Sequence, residues 1–333
     1  MIIAQVVDFA RKLAHRIPFI RHRNLLILIL PWASLDIEPI LLAGFRFLLS
    51  SIPMKPLRLV GITLLTLALL AGCAALDERQ RTWIFQPSDR SWGSTSELAN
   101  GMDNVWIDFQ SKVTGEPARL HGLWLASARS SGVKAPVLLY LHGARWNVEG
   151  SANRIRRMQE LGFSVLAIDY RGFGKSSKTL PSEEMAYEDA RAAWDWLAAK
   201  HAEAPRYIFG HSLGGAIAIE LAAQVDDETG TIVEGTFSSI SDVFGSFKWG
   251  WLPVKALITQ RFEAATRVSK IGSPLLVVHG TQDSTIKPEL GRKLFEAAVE
   301  PKALVMVEGG SHHNTNAVGQ SLYREALAKL FKL

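Results

Sequence analysis

From residue 136 onward, short apolar runs alternate with longer amphipathic ones. The short runs are "PVLLYLHG", "FSVLAIDYRG", "PRYIFG", "GTIVEGTF", "SPLLVVHG" and "KALVMVEG". Near-continuous apolar runs of this length suit strands covered on both faces. Between them lie "EGSANRIRRMQELG", "SEEMAYEDARAAWDWLAAK", "SLGGAIAIELAAQV", "KPELGRKLFEAAV" and "VGQSLYREALAKLFKL", which read as helices. Gly162 ends the first and Ser182 is placed to cap the second. Strand and helix alternating through short links predict an α/β fold, a mostly parallel sheet with helices on both faces. Upstream, "VWIDFQ" and "ARLHGLWLAS" flank the turn-rich "SKVTGEP" and read as an antiparallel hairpin. Residues 237–273 carry no clear strand. There "FGSFKWGWLPVKALITQRF" crowds Phe244, Phe247, Trp249, Trp251 and Leu252. Ligands of open sheets sit beyond the carboxyl ends of the strands, so this insertion reads either as a small cap or as ordinary helix packing.

The chain has 333 residues, 48% of them hydrophobic, enough for a large core. Its formal net charge of +5 lies within residues 1–73, which hold 8 Lys/Arg against 3 Asp/Glu. The remainder carries 29 of each sign. The body therefore has no net basic field to draw nucleic acid, and no nucleic-acid partner is expected. "NRIRRMQE" reads as the solvated face of a helix.

Cys73 is the single cysteine, so no intrachain disulfide forms. It closes "MKPLRLVGITLLTLALLAGCAAL", which begins at Met54. Two basic residues precede an apolar run, and small residues lead into the cysteine, as in a secretory signal. The run is short of the roughly 20 apolar residues a membrane span needs. It resembles the bacterial lipoprotein signal, with Leu70-Ala71-Gly72-Cys73 as lipobox. That resemblance implies a lipid on Cys73 and a place at the cell envelope, and Ala74 after the cysteine points to an outer membrane where the organism has one. Residues 1–53 read as an apolar leader, through a gene start placed too early or as membrane-associated helices. The first reading is preferred because a signal starting at Met54 is well proportioned. Residues 54–73 are then the signal, 74–103 a tether and entry segment in which "RTWIFQP" is a candidate to dock on the domain edge, and 104–333 the folded domain with its cap.

Ser212 lies in Gly210-His211-Ser212-Leu213-Gly214, between an expected strand and an expected helix. Glycines two residues to either side let backbones close in while the serine stands clear, as a nucleophile elbow requires. A serine needs a base, and the base needs an orienting acid. An elbow of this type predicts the chain order Ser, acid, His. Asp283 in "SPLLVVHGTQDSTI" and His312 in "ALVMVEGGSHHNTN" satisfy it, with His313 as the alternative base. Oxyanion donors are expected from the N–H of Leu213 and of Ala144, the latter in "HGARWNVEG". His142 precedes the serine and reads as a loop-shaping residue. Arg145 and Trp146 read as lining the substrate entrance or as exposed loop packing. "DYRGFGKS" lacks the glycine spacing of a phosphate-binding loop, and no dinucleotide fingerprint follows the first strand. Adjacent histidines without an acidic or cysteine cluster do not read as metal ligands.

Together "YLHG", "DYRGFGKSS", "GHSLGG", "VHGTQD" and "GGSHHN" resemble the motifs of the alpha/beta-hydrolase superfamily, over roughly residues 104–333. Within it the chain is similar to the serine aminopeptidase and dienelactone-hydrolase-like branch, often found as bacterial lipoproteins or membrane-anchored hydrolases. The resemblance implies a triad of Ser212, Asp283 and His312 and no cofactor, but it does not imply a substrate; a small-molecule acyl substrate is the partner expected of such a triad. An esterase acting through an acyl-enzyme is the leading expectation. A peptidase-like amide hydrolase and a catalytically silent binding lipoprotein are the alternatives. Oligomeric state is not legible.

Overall fold

A computed structural model of the chain describes residues 56–87, 97, 99–128, 135–247 and 255–333. The leader over 1–53, the start at Met54, and Trp249, Trp251 and Leu252 of the cap lie outside the described residues. The chain divides into two compact units, 1–68 and 69–333.

Helix α1, Pro56–Phe85, runs without a break through Cys73, which is exposed on it. Its part Val60–Phe85 is long and apolar enough, by length and composition, to cross a membrane. An apolar run counted only as far as Cys73 looks too short because Ala74, Ala75 and Leu76 extend it without a helix breaker. The segment expected to be a tether over 74–103 is therefore helical as far as Phe85. Ile84 and Phe85 are buried in the core of the second unit.

Eight strands form one sheet in the order β1-β2-β4-β3-β5-β6-β7-β8. The hairpin β1 (Asp103–Gln110) and β2 (Pro117–Leu125) occupies one edge, antiparallel to its neighbours. The others, β3 (Val137–Leu141), β4 (Ser164–Ile168), β5 (Arg206–His211), β6 (Gly230–Glu234), β7 (Leu275–Gly280) and β8 (Lys302–Val307), are parallel. Every residue of β3, β4, β6 and β7 is buried, as both-face coverage requires.

Alternate residues of each strand feed two separate cores. Leu139, Leu141, Ile208, Val233 and Val277 pack with Trp194 of α3 (Glu183–Lys200), Ile217 of α4 (Leu213–Ala222) and Phe85. Leu138, Tyr140, Phe209, Ile232 and Leu276 pack on the other face. Their partners there include Ile155 and Met158 of α2 (Ala152–Glu160), and Tyr323 and Leu327 of a C-terminal helix, Gln320–Phe331. Ser182 caps α3, its hydroxyl accepting from the Met185 N–H at 3.2 Å. Residues 237–273 hold no strand among the described residues, but two short helices, α5 (Ile240–Gly245) and α6 (Ala264–Arg267). Then α7 (Pro288–Ala297), α8 (Thr315–Val318) and α9, the Gln320–Phe331 helix, complete the unit.

β3 lies between β4 and β5, so the strand order reverses there and opens a crevice at the carboxyl ends. The loops after β3, β5, β6, β7 and β8 all leave the sheet at that end.

Candidate active site

Ser212 forms the turn between β5 and α4, with φ 55° and ψ −121°. A side chain rarely adopts this region, and here three hydrogen bonds hold it. Ser212 N–H donates to the Glu234 carbonyl at 2.9 Å. The Ser212 carbonyl accepts from Gly215 N–H at 2.9 Å and from Thr236 Oγ1 at 2.8 Å. The flanking glycines serve close approach. A Cβ on Gly210 would overlap the Gly214 carbonyl, and one on Gly214 would overlap the Leu141 carbonyl. The turn thus presses helix α4 onto β3 and lifts the hydroxyl clear.

His312, in the loop after β8, places Nε2 3.0 Å from Ser212 Oγ. Its Nδ1 lies 2.8 Å from Asp283 Oδ2, in the loop after β7. Asp283 Oδ1 accepts from the N–H groups of Thr285 at 2.9 Å and Ile286 at 2.8 Å. Burial pushes the Asp283 carboxyl up, but hydrogen bonds from His279 and His312 outweigh it and hold the group below the usual carboxylate range. An ionised Asp283 fixes the His312 tautomer, with the proton on Nδ1 and Nε2 free to accept from Ser212. His313 is exposed and contacts the ring of His312 edge-on at 5.4 Å, with no hydrogen bond to Ser212. Of the two histidines, His312 is therefore the one at the hydroxyl.

Leu213 opens α4, so its N–H has no acceptor within the helix. The loop carrying Ala144 reaches the same point: a Cβ on Gly143 would stand 3.0 Å from Ser212 Cβ. His142 donates from Nδ1 to the Gly143 carbonyl at 2.6 Å, and its own carbonyl accepts from Tyr170 Oη at 3.1 Å. Burial lowers its imidazole below the ordinary range.

Several residues near this site have roles that the sequence motifs do not spell out. Arg145 N–H donates to the Phe85 carbonyl at 2.9 Å, and its Nε to Gln86 Oε1 at 2.7 Å. Arg145 and Trp146 both take positive φ, 69° and 61°. The end of α1 thus clamps the loop that bears Ala144. His211 Nε2 donates to the His312 carbonyl at 3.0 Å and tethers the histidine loop. Beneath it, the buried Glu234 carboxylate accepts from Arg154 Nε at 2.9 Å and from Tyr323 Oη. Cys73 lies on α1, among none of these groups. Among the described residues no cluster of three or more His, Cys, Asp or Glu is placed to hold a metal ion.

The arrangement is a hydroxyl, an imidazole and a carboxylate in hydrogen-bonded sequence, beside loop N–H groups. The family model described as serine aminopeptidase, S33 matches residues 133–264. An uncharacterized protein of Mycobacterium tuberculosis is 30% identical over 253 residues, covering 75% of this chain and 86% of that protein. The Danio rerio lysophosphatidylserine lipase ABHD12 is 32% identical over 189 residues. That match covers 51% of this chain and 49% of the lipase, about half its length. Among solved structures, the Pyrococcus furiosus esterase Pf2001 shares the fold, with TM-score 0.57 and 19% identity over 74% of this chain and 97% of that one. Sheet order, nucleophile turn and these likenesses agree: the chain belongs to the alpha/beta-hydrolase superfamily and is a hydrolase of that fold.

Proposed function

We propose that the protein hydrolyses carboxylic esters through an acyl-enzyme on Ser212. The observation that carries this is the unbroken line from Ser212 Oγ through His312 to Asp283. Ser212 Oγ bonds to the ester carbonyl carbon while its proton passes to His312 Nε2. The oxyanion is met by the N–H groups of Leu213 and Ala144. As the tetrahedral species collapses, the C–O bond to the alcohol breaks and the alcohol takes the proton from Nε2. Water then adds to the acyl carbon, its proton going to Nε2. The acid departs as Oγ takes that proton back. Asp283 holds the imidazole and stabilises its cationic form throughout.

The likeness to a lysophosphatidylserine lipase supports an acyl ester of an amphiphile as substrate. The family name points instead to amides, a second reading that the same triad serves. Paired ester and amide substrates of one acyl group separate the two. The direct test is turnover of a chromogenic ester by the parent and by Ser212→Ala, with circular dichroism to check folding. Loss of about 10⁴-fold or more in kcat with the fold intact is expected. Equal rates in both proteins would sink the assignment.

We also propose that α1 holds the enzyme at a membrane of the cell envelope. It does so either as a span or, after cleavage ahead of Cys73, through a lipid on that residue. Metabolic lipid labelling that survives in Cys73→Ser removes the lipid route.

A further inference from the structure

Glu234 closes β6, an otherwise uncharged strand, and its carboxylate is fully buried. A buried ion pair adds little stability over a well-packed apolar pair, so stability alone does not account for it. Its main chain and its side chain lead to the two ends of the proton transfer. The Glu234 carbonyl accepts from Ser212 N–H at 2.9 Å. The side chain shares a sheet face with Ile232, two residues earlier, and so meets α2 and α9. Oε1 accepts from Arg154 Nε at 2.9 Å, and Oε2 from Tyr323 Oη. Arg154 Nη2 in turn donates to the His313 carbonyl, a longer contact of 3.4 Å.

His211 is the register partner of Glu234 on β5. Its Nε2 lies 4.0 Å from Glu234 Oε1 and donates to the His312 carbonyl at 3.0 Å. The carboxylate favours the tautomer that keeps this proton on Nε2. The carbonyls of His312 and His313 are therefore both tied to groups that face Glu234. Bonds within the loop, from Ser311 N–H and Oγ to Asn314 Oδ1 at 2.7 and 2.9 Å, shape its turn without attaching it to the sheet. Gly235, next along the chain, abuts the other two groups of the triad: an added Cβ would lie 3.4 Å from Asp283 Oδ2 and from His312 Nδ1.

We propose that Glu234 and Arg154 are a positioning pair that sets the contact between Ser212 and His312. The main chain of Glu234 holds the nucleophile turn, and its carboxylate, through Arg154 and His211, holds the loop of the base. The proposal rests on the ester-hydrolase reading above. Neither side chain is bonded to Ser212 Oγ or to the His312 ring, so the pair acts through the loops. Arginine suits the place because its fork spans two acceptors, Glu234 Oε1 and the His313 carbonyl, where a lysine ammonium is a single point of charge.

The test compares the full-length parent in detergent with Glu234→Gln, Arg154→Lys and Tyr323→Phe. It measures kcat and KM for 4-nitrophenyl acetate, the thermal midpoint, and the rate of inactivation by a fluorophosphonate. In that inactivation Ser212 Oγ displaces fluoride from phosphorus while His312 takes its proton, so it reports the same contact without turnover. Glu234→Gln and Arg154→Lys are expected to lower kcat and the inactivation rate about 10- to 100-fold, with KM within about twofold, as a small misplacement of the base does. Tyr323→Phe removes a bond to the same carboxylate but leaves the Arg154 arm in place, so its kcat stays within about twofold while its midpoint falls. Should Glu234→Gln fail to fold, Arg154→Lys decides, since it keeps the charge that Glu234 needs. Parent-like kcat in Arg154→Lys overturns the proposal, as does a loss that Tyr323→Phe shares in step with its midpoint, which makes the network packing alone. A raised KM at unchanged kcat also overturns it, by placing Arg154 on the substrate. Each of these leaves the hydrolase standing. A parent with neither Ser212-dependent turnover nor Ser212 labelling by the fluorophosphonate overturns the reading beneath, and the proposal with it.

Discussion

Ser212 is held by Glu234, Gly215 and Thr236, Asp283 by the N–H groups of Thr285 and Ile286, and His312 by His211, so single substitutions separate their roles. Asp283→Asn keeps the size of the side chain but offers an N–H where His312 Nδ1 needs an acceptor. The imidazole then turns to the wrong tautomer, and kcat falls about 10⁴-fold with the thermal midpoint little changed. A Tm drop that accounts for the lost activity would argue against this role. His312→Ala is expected to abolish turnover, whereas His313→Ala retains it within about threefold; stopped assays on the two purified variants decide between them. The five-residue elbow identifies Ser212 in the sequence because its steric demand is written as glycine spacing. The choice between His312 and His313 is not written there. Adjacent side chains differ in direction, and direction comes from the loop backbone and from the His211 contact to the His312 carbonyl. Thr236 was equally silent: its hydroxyl bonds a main-chain carbonyl, and such partners leave no mark on residue pattern.

At the scale of elements, strands and helices were legible because buried parallel strands are nearly pure apolar runs and their helices carry one apolar face. The helix over 74–85 was not legible. Its charges break the hydrophobic period, so it reads as a tether and entry segment in which only "RTWIFQP" is a docking candidate. Yet those polar groups are what dock it. Arg81 Nε donates to the Pro181 carbonyl at 2.8 Å, and Asp77 accepts from Gln260 Nε2 at 2.9 Å. Polar docking of a helix to loop carbonyls is invisible to periodicity. Phe85 completes it, meeting Phe262 and Phe173 edge-on at 5.7 Å and 6.5 Å. The clamp on Arg145 has a kinetic consequence. Donors to an oxyanion act chiefly in the transition state, so loosening their loop lowers kcat and leaves KM nearly unchanged. Gln86→Leu, which removes the acceptor of Arg145 Nε, should reduce kcat severalfold, roughly up to tenfold. Affinity for a boronic acid that forms a tetrahedral adduct on the serine should fall in parallel. If KM rises instead while kcat and boronate affinity hold, the α1 terminus touches substrate and does not position the loop.

Two buried histidines of the molecule, His211 and His142, are harder to protonate in the fold than in the open chain, and that shapes its response to acid. His211 is held well below the ordinary imidazole range, first by burial and then by the nearby positive charge of Arg154. Burial lowers His142 likewise. In the unfolded chain both take up a proton near pH 6.5. Below that pH the unfolded state therefore binds more protons than the folded one, and stability falls with acidification. Asp283 acts in a lower window. Its folded carboxyl is depressed, so its contribution is present above about pH 4 and is lost only as pH drops further toward the folded value. Other groups titrate over the same range, so a difference between two proteins isolates one histidine. His211→Gln keeps an N–H for the His312 carbonyl and removes the titrating ring. Urea unfolding of parent and variant between pH 8 and pH 5 should show a constant gap above pH 7. Below pH 6.5 the parent should lose stability relative to the variant by about 1.4 kcal/mol per pH unit. A gap that stays constant down to pH 5 would mean that His211 accepts its proton in the folded state. The tether it provides to the histidine loop would then have to bear a charge beside His312, and the orientation of the base would depend on pH.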